Sequence, residues 1–175
     1  IRIFTTESQS KKNMKRLVGI SFVIVVLDQF SKYMIVETLD QCVPGFCESI
    51  DMLPFFKLVL LYNEGAAFSM LSDAGGWQRW FLSIISFVVS MFIFFWLMRL
   101  KASEQLLGLG LAAILGGAVG NLIDRVFLGH VVDYFLFYYK SFYFPAFNIA
   151  DAAISIGAAL LILDMVITNR TTDVQ

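Results

Sequence analysis

Four stretches of mostly apolar residues constrain this chain more than anything else in it: about 17–37, 77–99, 104–123 and 149–168. A helix needs roughly 20 such residues to cross the hydrocarbon core of a bilayer. In lipid only helices and closed barrels satisfy their own backbone. Composition agrees: of 175 residues, 58% are hydrophobic and 15% charged, whereas a soluble domain carries about 25% charge. The length suits one domain. We divide it into a polar, flexible N-terminal extension (1–13), a single four-span domain (14–168) and a short tail (169–175). The first apolar run follows Lys15 and Arg16, as in a secretory signal. It is long, however, contains Asp28 and is followed by no small-residue cleavage site, so it reads as a retained span.

A net charge of −1 offers no basic surface for nucleic acid, and eighteen Phe residues at helical spacing face lipid more readily than bases. With His130 as the only histidine and two cysteines, the chain cannot assemble a Cys/His metal cluster, and no metal or cofactor is expected. His130 follows Gly129 in a connection and reads as a surface or interfacial histidine.

Lysine and arginine set the direction of the spans. Arg2, Lys11, Lys12, Lys15 and Arg16 precede the first span, Arg99 and Lys101 join the second to the third, and Arg170 follows the fourth. These segments share one side, which is then cytoplasmic, and both termini lie there. The 38–76 and 124–148 connections lie outside. Cys42 and Cys47 fall in the first of these, where a disulfide is permitted and two free thiols are equally compatible. Residues 55–62 are rich in strand formers after Pro54, so a short strand or hairpin is expected at the membrane surface. The aromatic run from Tyr134 to Phe144 suits an interfacial helix or loop.

Ionisable residues inside a span are costly. Asp28 is followed at i+4 by Lys32, which permits a local ion pair or a site role. At 100° per residue, Ala113, Gly117, Gly110 and Gly120 share the stripe of Asp124, so that acid points into the bundle near its outer end. Ser155 and Ala158 share the face of Asp151, which we expect to be inward as well. Asp151 sits in the first turn of an inbound helix, where Asn148 would cap it. Asp124 has Arg125 as a neighbour and possible partner. Two inward acids at one depth still suggest a site. That much fits a protease, a proton- or ion-coupled transporter using Asp28, Asp124 and Asp151, or an assembly protein whose acids serve as caps.

Five segments then resemble the lipoprotein signal peptidase (type II signal peptidase) family over nearly all of 14–168. They are Asp28-Gln29-Phe30-Ser31-Lys32, Asn63-Glu64-Gly65-Ala66-Ala67-Phe68-Ser69, the run from Gly116 to Arg125, Val131-Val132-Asp133-Tyr134, and Phe147-Asn148-Ile149-Ala150-Asp151. The resemblance implies a membrane all-α fold with a small β part: four transmembrane helices, an extracytoplasmic sheet-like cradle and a short interfacial helix. It implies an aspartic endopeptidase of the bacterial inner membrane. The substrate would be a diacylglyceryl-modified prolipoprotein, cut on the N-terminal side of the lipidated cysteine without any cofactor. The family's dyad falls on Asp124 and Asp151. Asn63, Gly65, Asn121, Arg125 and Asn148 fall on positions that shape the site or hold substrate, and Asp28 on a supporting one. Membrane lipid and globomycin-type inhibitors are the further partners implied, and nothing in the sequence demands more than a monomer. Two carboxyls a few ångströms apart share one proton, so one can activate water while the other polarises the scissile carbonyl.

Overall fold

The computed structural model describes residues 2–65 and 76–172. Eight elements follow in order: α1 (Arg2–Thr38), β1 (Ile50–Leu53), β2 (Phe56–Asn63), α2 (Trp77–Arg99), α3 (Gln105–Phe127), β3 (Val131–Tyr139), β4 (Phe142–Tyr143) and α4 (Ile149–Thr172). Within them, Lys12–Thr38, Trp77–Arg99, Gln105–Phe127 and Ile149–Thr168 are long and apolar enough to cross a membrane, as the four sequence stretches predict. Their outer faces leave Phe22, Phe30, Trp80, Ile84, Phe92 and Ile162 exposed. An apolar surface of that extent is stable only against lipid or a partner. One detail differs from expectation. Helix α1 reaches back to Arg2, so the segment expected as a flexible extension has helical backbone. No Pro or Gly interrupts residues 2–18 to stop the helix.

Helix α3 is the hub, packing on α1, α2 and α4. Its small residues make this possible, because each closes a gap that a Cβ would not fit. A Cβ at Gly117 would lie 2.3 Å from the carbonyl oxygen of Ala150, and one at Gly116 would lie 2.9 Å from that of Ser21. A Cβ at Gly157 of α4 would in turn lie 2.6 Å from the carbonyl oxygen of Gly110. Such close approach is how helices associate in a bilayer. Leu17, Ile93, Leu97, Leu111 and Leu115 fill the space between α1, α2 and α3 at the other end. The buried face of α4 is Ala150, Ala153 and Gly157. Ser155 and Ala158, expected to point inward, are exposed, because the Asp151 face lies beside the seam with α3 and not on it.

One antiparallel sheet, in the order β1-β2-β3-β4, sits over the end of the bundle where α1 and α3 finish and α4 begins. The expected hairpin is β1–β2, turning at Pro54 and Phe55. The aromatic run expected as an interfacial helix or loop is β3 and β4 instead. Tyr and Phe favour strands as much as membrane interfaces, and here β2 offers a partner, pairing Asn63 with Val131 and Leu61 with Asp133. Residues 66–75, which include the Ala66-Ala67-Phe68-Ser69 part of one motif, lie outside the described residues. Val132 and Tyr134 pack with Ile35, Leu39 and Leu60, fastening the sheet to the end of α1. Cys42 and Cys47 form a disulfide, and the loop they close is tied to β2 by a bond from the Cys42 N–H to the Leu60 carbonyl.

Candidate active site

Four acids from four elements meet beneath the sheet, and they divide into two pairs. The first pair is closed. Lys32 Nζ lies 2.8 Å from Asp28 Oδ2, one turn back on α1, and 2.8 Å from Asp124 Oδ2 on α3. The exposures of these side chains are 4%, 0% and 2%. The other oxygen of Asp124 accepts a bond from Gln29 Nε2 at 2.8 Å, and its Oδ2 accepts a second from the Val132 N–H at 3.1 Å. Asp28 Oδ1 accepts the Ala150 N–H at 2.9 Å, placing a carboxylate at the N-terminus of α4, where the helix dipole favours it. A buried charge left unpaired is expensive, so this cluster depends on all its members.

The second pair is open. Asp151 and Asp133 both line a cavity of about 340 Å³, together with Asn63, Asn121, Arg125 and Ser155. A second hollow of about 480 Å³ shares Asn63, Asp133, Phe144, Pro145 and Ala146 with it and runs along the sheet past Tyr62 and Tyr143. Asn148, fully buried, ties the two acids together. Its Oδ1 accepts the Asp151 N–H at 2.9 Å while its own N–H donates to Asp151 Oδ2 at 3.3 Å, a reciprocal capping arrangement with the acid at the third helical position. Its Nδ2 donates to Asp133 Oδ1 at 2.8 Å. The expected cap is therefore present, and it positions Asp151 rather than replacing a site role.

Asparagines hold the remaining oxygens. Asn121 Nδ2 donates to Asp151 Oδ1 at 2.7 Å. Asn63 Nδ2 donates to Asp133 Oδ2 at 2.9 Å, with Asn63 Oδ1 held by the Gly65 N–H. Arg125 reaches the Gly65 carbonyl with Nη2 and the Asn121 carbonyl with Nη1, and its buried Nε has no hydrogen-bond partner among the described residues. Burial is the main cause that pushes the Asp133 carboxyl up to about 7. The charge of Asp151 adds to the rise, while the amides of Asn63 and Asn148 and the charge of Lys32 oppose it. Burial also lowers the pKa of His130, whose ring lies tilted against Tyr62 at 4.1 Å between centroids, away from the cavity lining. Among the described residues no group of three or more His, Cys, Asp and Glu could hold a metal ion.

The sequence-derived set is thus brought together almost entire. Asn63, Asn121, Arg125 and Asp151 face one cavity, Gly65 and Asn148 hold that wall from behind, and Asp28 supports α4. Asp124 departs from expectation. It points inward as its small-residue stripe predicts, but inward leads to Lys32 and Gln29 and not to the cavity. The residue that sequence reasoning passed over is Asp133, quoted in a motif but given no role. Only strand alternation could have placed it: Val131 and Asp133 line the cavity while Val132 and Tyr134 pack inward.

Known proteins bear on this arrangement. A family described as signal peptidase (SPase) II matches residues 20–167. The lipoprotein signal peptidase of Alteromonas mediterranea is 49% identical over 150 residues, spanning 86% of this chain and 80% of that protein. That of Cupriavidus necator is 51% identical over 144 residues, spanning 82% and 79%. A solved bacterial membrane enzyme superposes with a TM-score of 0.75 at 28% identity, covering 87% of this chain and 88% of its own. With four apolar spans, a small sheet over their ends and this extent of shared sequence, the chain belongs to the signal peptidase II family of lipoprotein signal peptidases.

Proposed function

We propose that the chain is an aspartic endopeptidase that removes the signal peptide from diacylglyceryl-modified prolipoproteins, on the N-terminal side of the lipidated cysteine, with Asp133 and Asp151 as its dyad. One observation carries the choice of acids. Asp133 and Asp151 line the same cavity and share Asn148, whereas both oxygens of the 2%-exposed Asp124 are occupied by Gln29, Lys32 and Val132. A carboxyl that acts on a peptide must be able to touch it. Asp124 therefore serves as a support, replacing the dyad role that the family resemblance suggested for it.

Asp133 holds the shared proton and donates a hydrogen bond to the scissile carbonyl. Asp151, accepting from Asn121 and the Asn148 N–H, takes a proton from water as the hydroxide adds to the carbonyl carbon. It then delivers that proton to the departing amine as the C–N bond breaks. The pair titrates as a unit. Arg125 Nε is a donor left for the substrate main chain. The diacylglyceryl chains stay in lipid beside the exposed helix faces, and globomycin-type inhibitors compete for the same cavity. Both termini face the cytoplasm, and the sheet, with its disulfide, faces the oxidising side. The acids gather at one end of the bundle, where a relay for a transporter would need them spread across its depth.

The test compares Asp133→Asn, Asp151→Asn and Asp124→Asn in detergent on lipidated prolipoprotein. We expect the first two, still folded, to lose roughly 10²–10⁴-fold in rate, and Asp124→Asn to lose stability while cleavage remains measurable. A folded Asp133→Asn variant that cleaves normally beside an inert Asp124→Asn variant would return the dyad to Asp124. Equal turnover of unlipidated precursor would refute the lipid-bound pose.

A further inference from the structure

At the end of the bundle opposite the sheet, a hollow of about 450 Å³ lies where α1 passes the start of α3. It is lined by Lys12, Asn13, Arg16 and Gln105, with no apolar residue among them. Lys12 and Arg16 stand one helical turn apart on the same face of α1. Arg16 Nη2 donates to Gln105 Oε1, and Gln105 Nε2 donates to the Ala102 carbonyl, so the far wall is fixed to the loop before α3. A guanidinium has five N–H donors and an ammonium three. Among the described residues no carboxylate forms an ion pair with Lys12 or Arg16. Glu104, next to Gln105 in the chain, is turned to the Lys101 N–H at 2.7 Å. The other charges at this end, among the described residues, are Lys15, Arg99 and Lys101 against Asp164. The hollow presents positive charge that the chain itself does not balance.

The surface beyond it is of the opposite kind. At 100° per residue, Gly19, Val23, Leu27 and Phe30 continue the face of Lys12 and Arg16 within an arc of about 80°, and all four are exposed. Gly19 leaves a notch next to the cations, since a Cβ there would meet nothing within 4 Å. The rise from Gly19 to Phe30 is about 16 Å, close to half of the roughly 30 Å hydrocarbon core. A charged hollow therefore leads into an apolar strip one leaflet deep. We propose that this is a binding site for an anionic phospholipid, with its phosphate between Lys12 and Arg16, its glycerol at the Gly19 notch and an acyl chain along Val23, Leu27 and Phe30. Basic pockets between membrane helices suit such headgroups. A zwitterionic lipid brings an ammonium of its own toward two cations and gains less. The site lies at the other end of the bundle from the acids beneath the sheet, so it stands apart from the cleavage chemistry. Bound lipid would tie α1 to α3 at the end that the sheet does not reach.

The test titrates the purified protein in neutral detergent with phosphatidylglycerol and follows thermal melting, which rises with occupancy by a ligand that binds only the folded form. A saturable rise is expected with phosphatidylglycerol and none with phosphatidylcholine over the same range. Lys12→Gln combined with Arg16→Gln should raise the half-saturating concentration about thirtyfold. Lys15→Gln combined with Lys101→Gln removes equal charge outside the hollow and should raise it by less than about threefold. Gly19→Leu fills the notch with the charge unchanged and should weaken binding about tenfold. Inorganic phosphate probes the headgroup alone and should give no saturable rise at the concentration where the lipid is half-saturating. An equal rise with phosphatidylcholine, or with phosphate at that concentration, would overturn the proposal. So would a Lys15 and Lys101 variant that loses as much as the Lys12 and Arg16 variant, since the attraction would then belong to the basic surface at large. If the Lys12 and Arg16 variant does not fold, Gly19→Leu decides: an unchanged half-saturating concentration overturns the proposal.

Discussion

Gly117→Ala is the sharpest probe of how the seam between α3 and α4 holds the site. The added methyl would lie 2.3 Å from the Ala150 carbonyl oxygen, 2.8 Å from Ile154 Cγ1 and 3.1 Å from the Ala150 carbonyl carbon. Two of these atoms are backbone, so no side chain can swing aside. Ordinary contact begins near 3.4 Å, which obliges the first turn of α4 to retreat by about 1 Å. That turn carries Asp151. Its retreat stretches the Ala150 N–H bond to Asp28 (2.9 Å) and the Asn121 bond to Asp151 (2.7 Å) together. Overpacking of this kind costs about 1–3 kcal/mol, and a displacement of about 1 Å at a reacting group costs on the order of 10²-fold in rate. The assay is thermal melting in detergent alongside single-turnover cleavage of lipidated prolipoprotein. Gly19→Ala is the control, since a Cβ there meets nothing within 4 Å. It should leave the rate alone and add a few tenths of a kcal/mol of helix stability, up to about 1 kcal/mol. A Gly117→Ala protein with wild-type rate and melting temperature would refute the claim that close helix contact positions Asp151.

Two further outcomes follow from the site's surroundings. The buried Asp133 carboxyl is raised to about 7, so it binds its proton more tightly folded than unfolded. Stability should therefore fall as pH climbs from the carboxyl's unfolded value of about 4 through about 7, and Asp133→Asn should flatten melting across that window. A wild-type melting temperature that does not change across that window would contradict this. Separately, Arg79 on α2 donates from Nε to the Arg125 carbonyl and from Nη2 to the Val126 carbonyl, both at 2.7 Å, closing the end of α3. Arg79→Ala should cost about 1–3 kcal/mol, seen as a lowered melting temperature. An unchanged melt would show that the partly exposed guanidinium contributes nothing measurable.

Much of this architecture was legible because the bilayer demands so simple a signal. Runs of apolar residues give the spans directly, and an acid within such a run is conspicuous. The small-residue stripe of α3 predicted a buried Asp124, and Asp124 is buried. What the stripe could not say is what occupies the interior at that level. Lys32 lies far back in the sequence, and whether it pairs locally with Asp28 or also reaches across to α3 depends on packing that no local pattern records. On α4 the angular arithmetic was sound but its inference was not, because Asp151 opens onto the cavity beside the seam formed by Ala150, Ala153 and Gly157. Asp133 was least legible. Its role depends on β3 being a strand, and β3 is a strand because β2 pairs with it from about 70 residues earlier, as Leu61 with Asp133 does. Aromatic composition alone fits an interface equally well.

The short connection from α3 to β3 has a consequence for how this family can vary. Leu128, Gly129 and His130 are all that separate the last turn of the helix from Val131, and Gly129 takes a left-handed φ of +92° with Arg79 packed over it. Surface connections are usually where insertions and deletions accumulate. Here length is counted in parity: side chains of a strand alternate, so one residue more or fewer ahead of Val131 would turn the acid away and bring Val132 or Tyr134 to the cavity. Lineages can exchange the residues of this connection freely only where the turn and the count survive. The loop behaves less like a tether than like a spacer of fixed length, and the placement of the acid three positions past it is written in it.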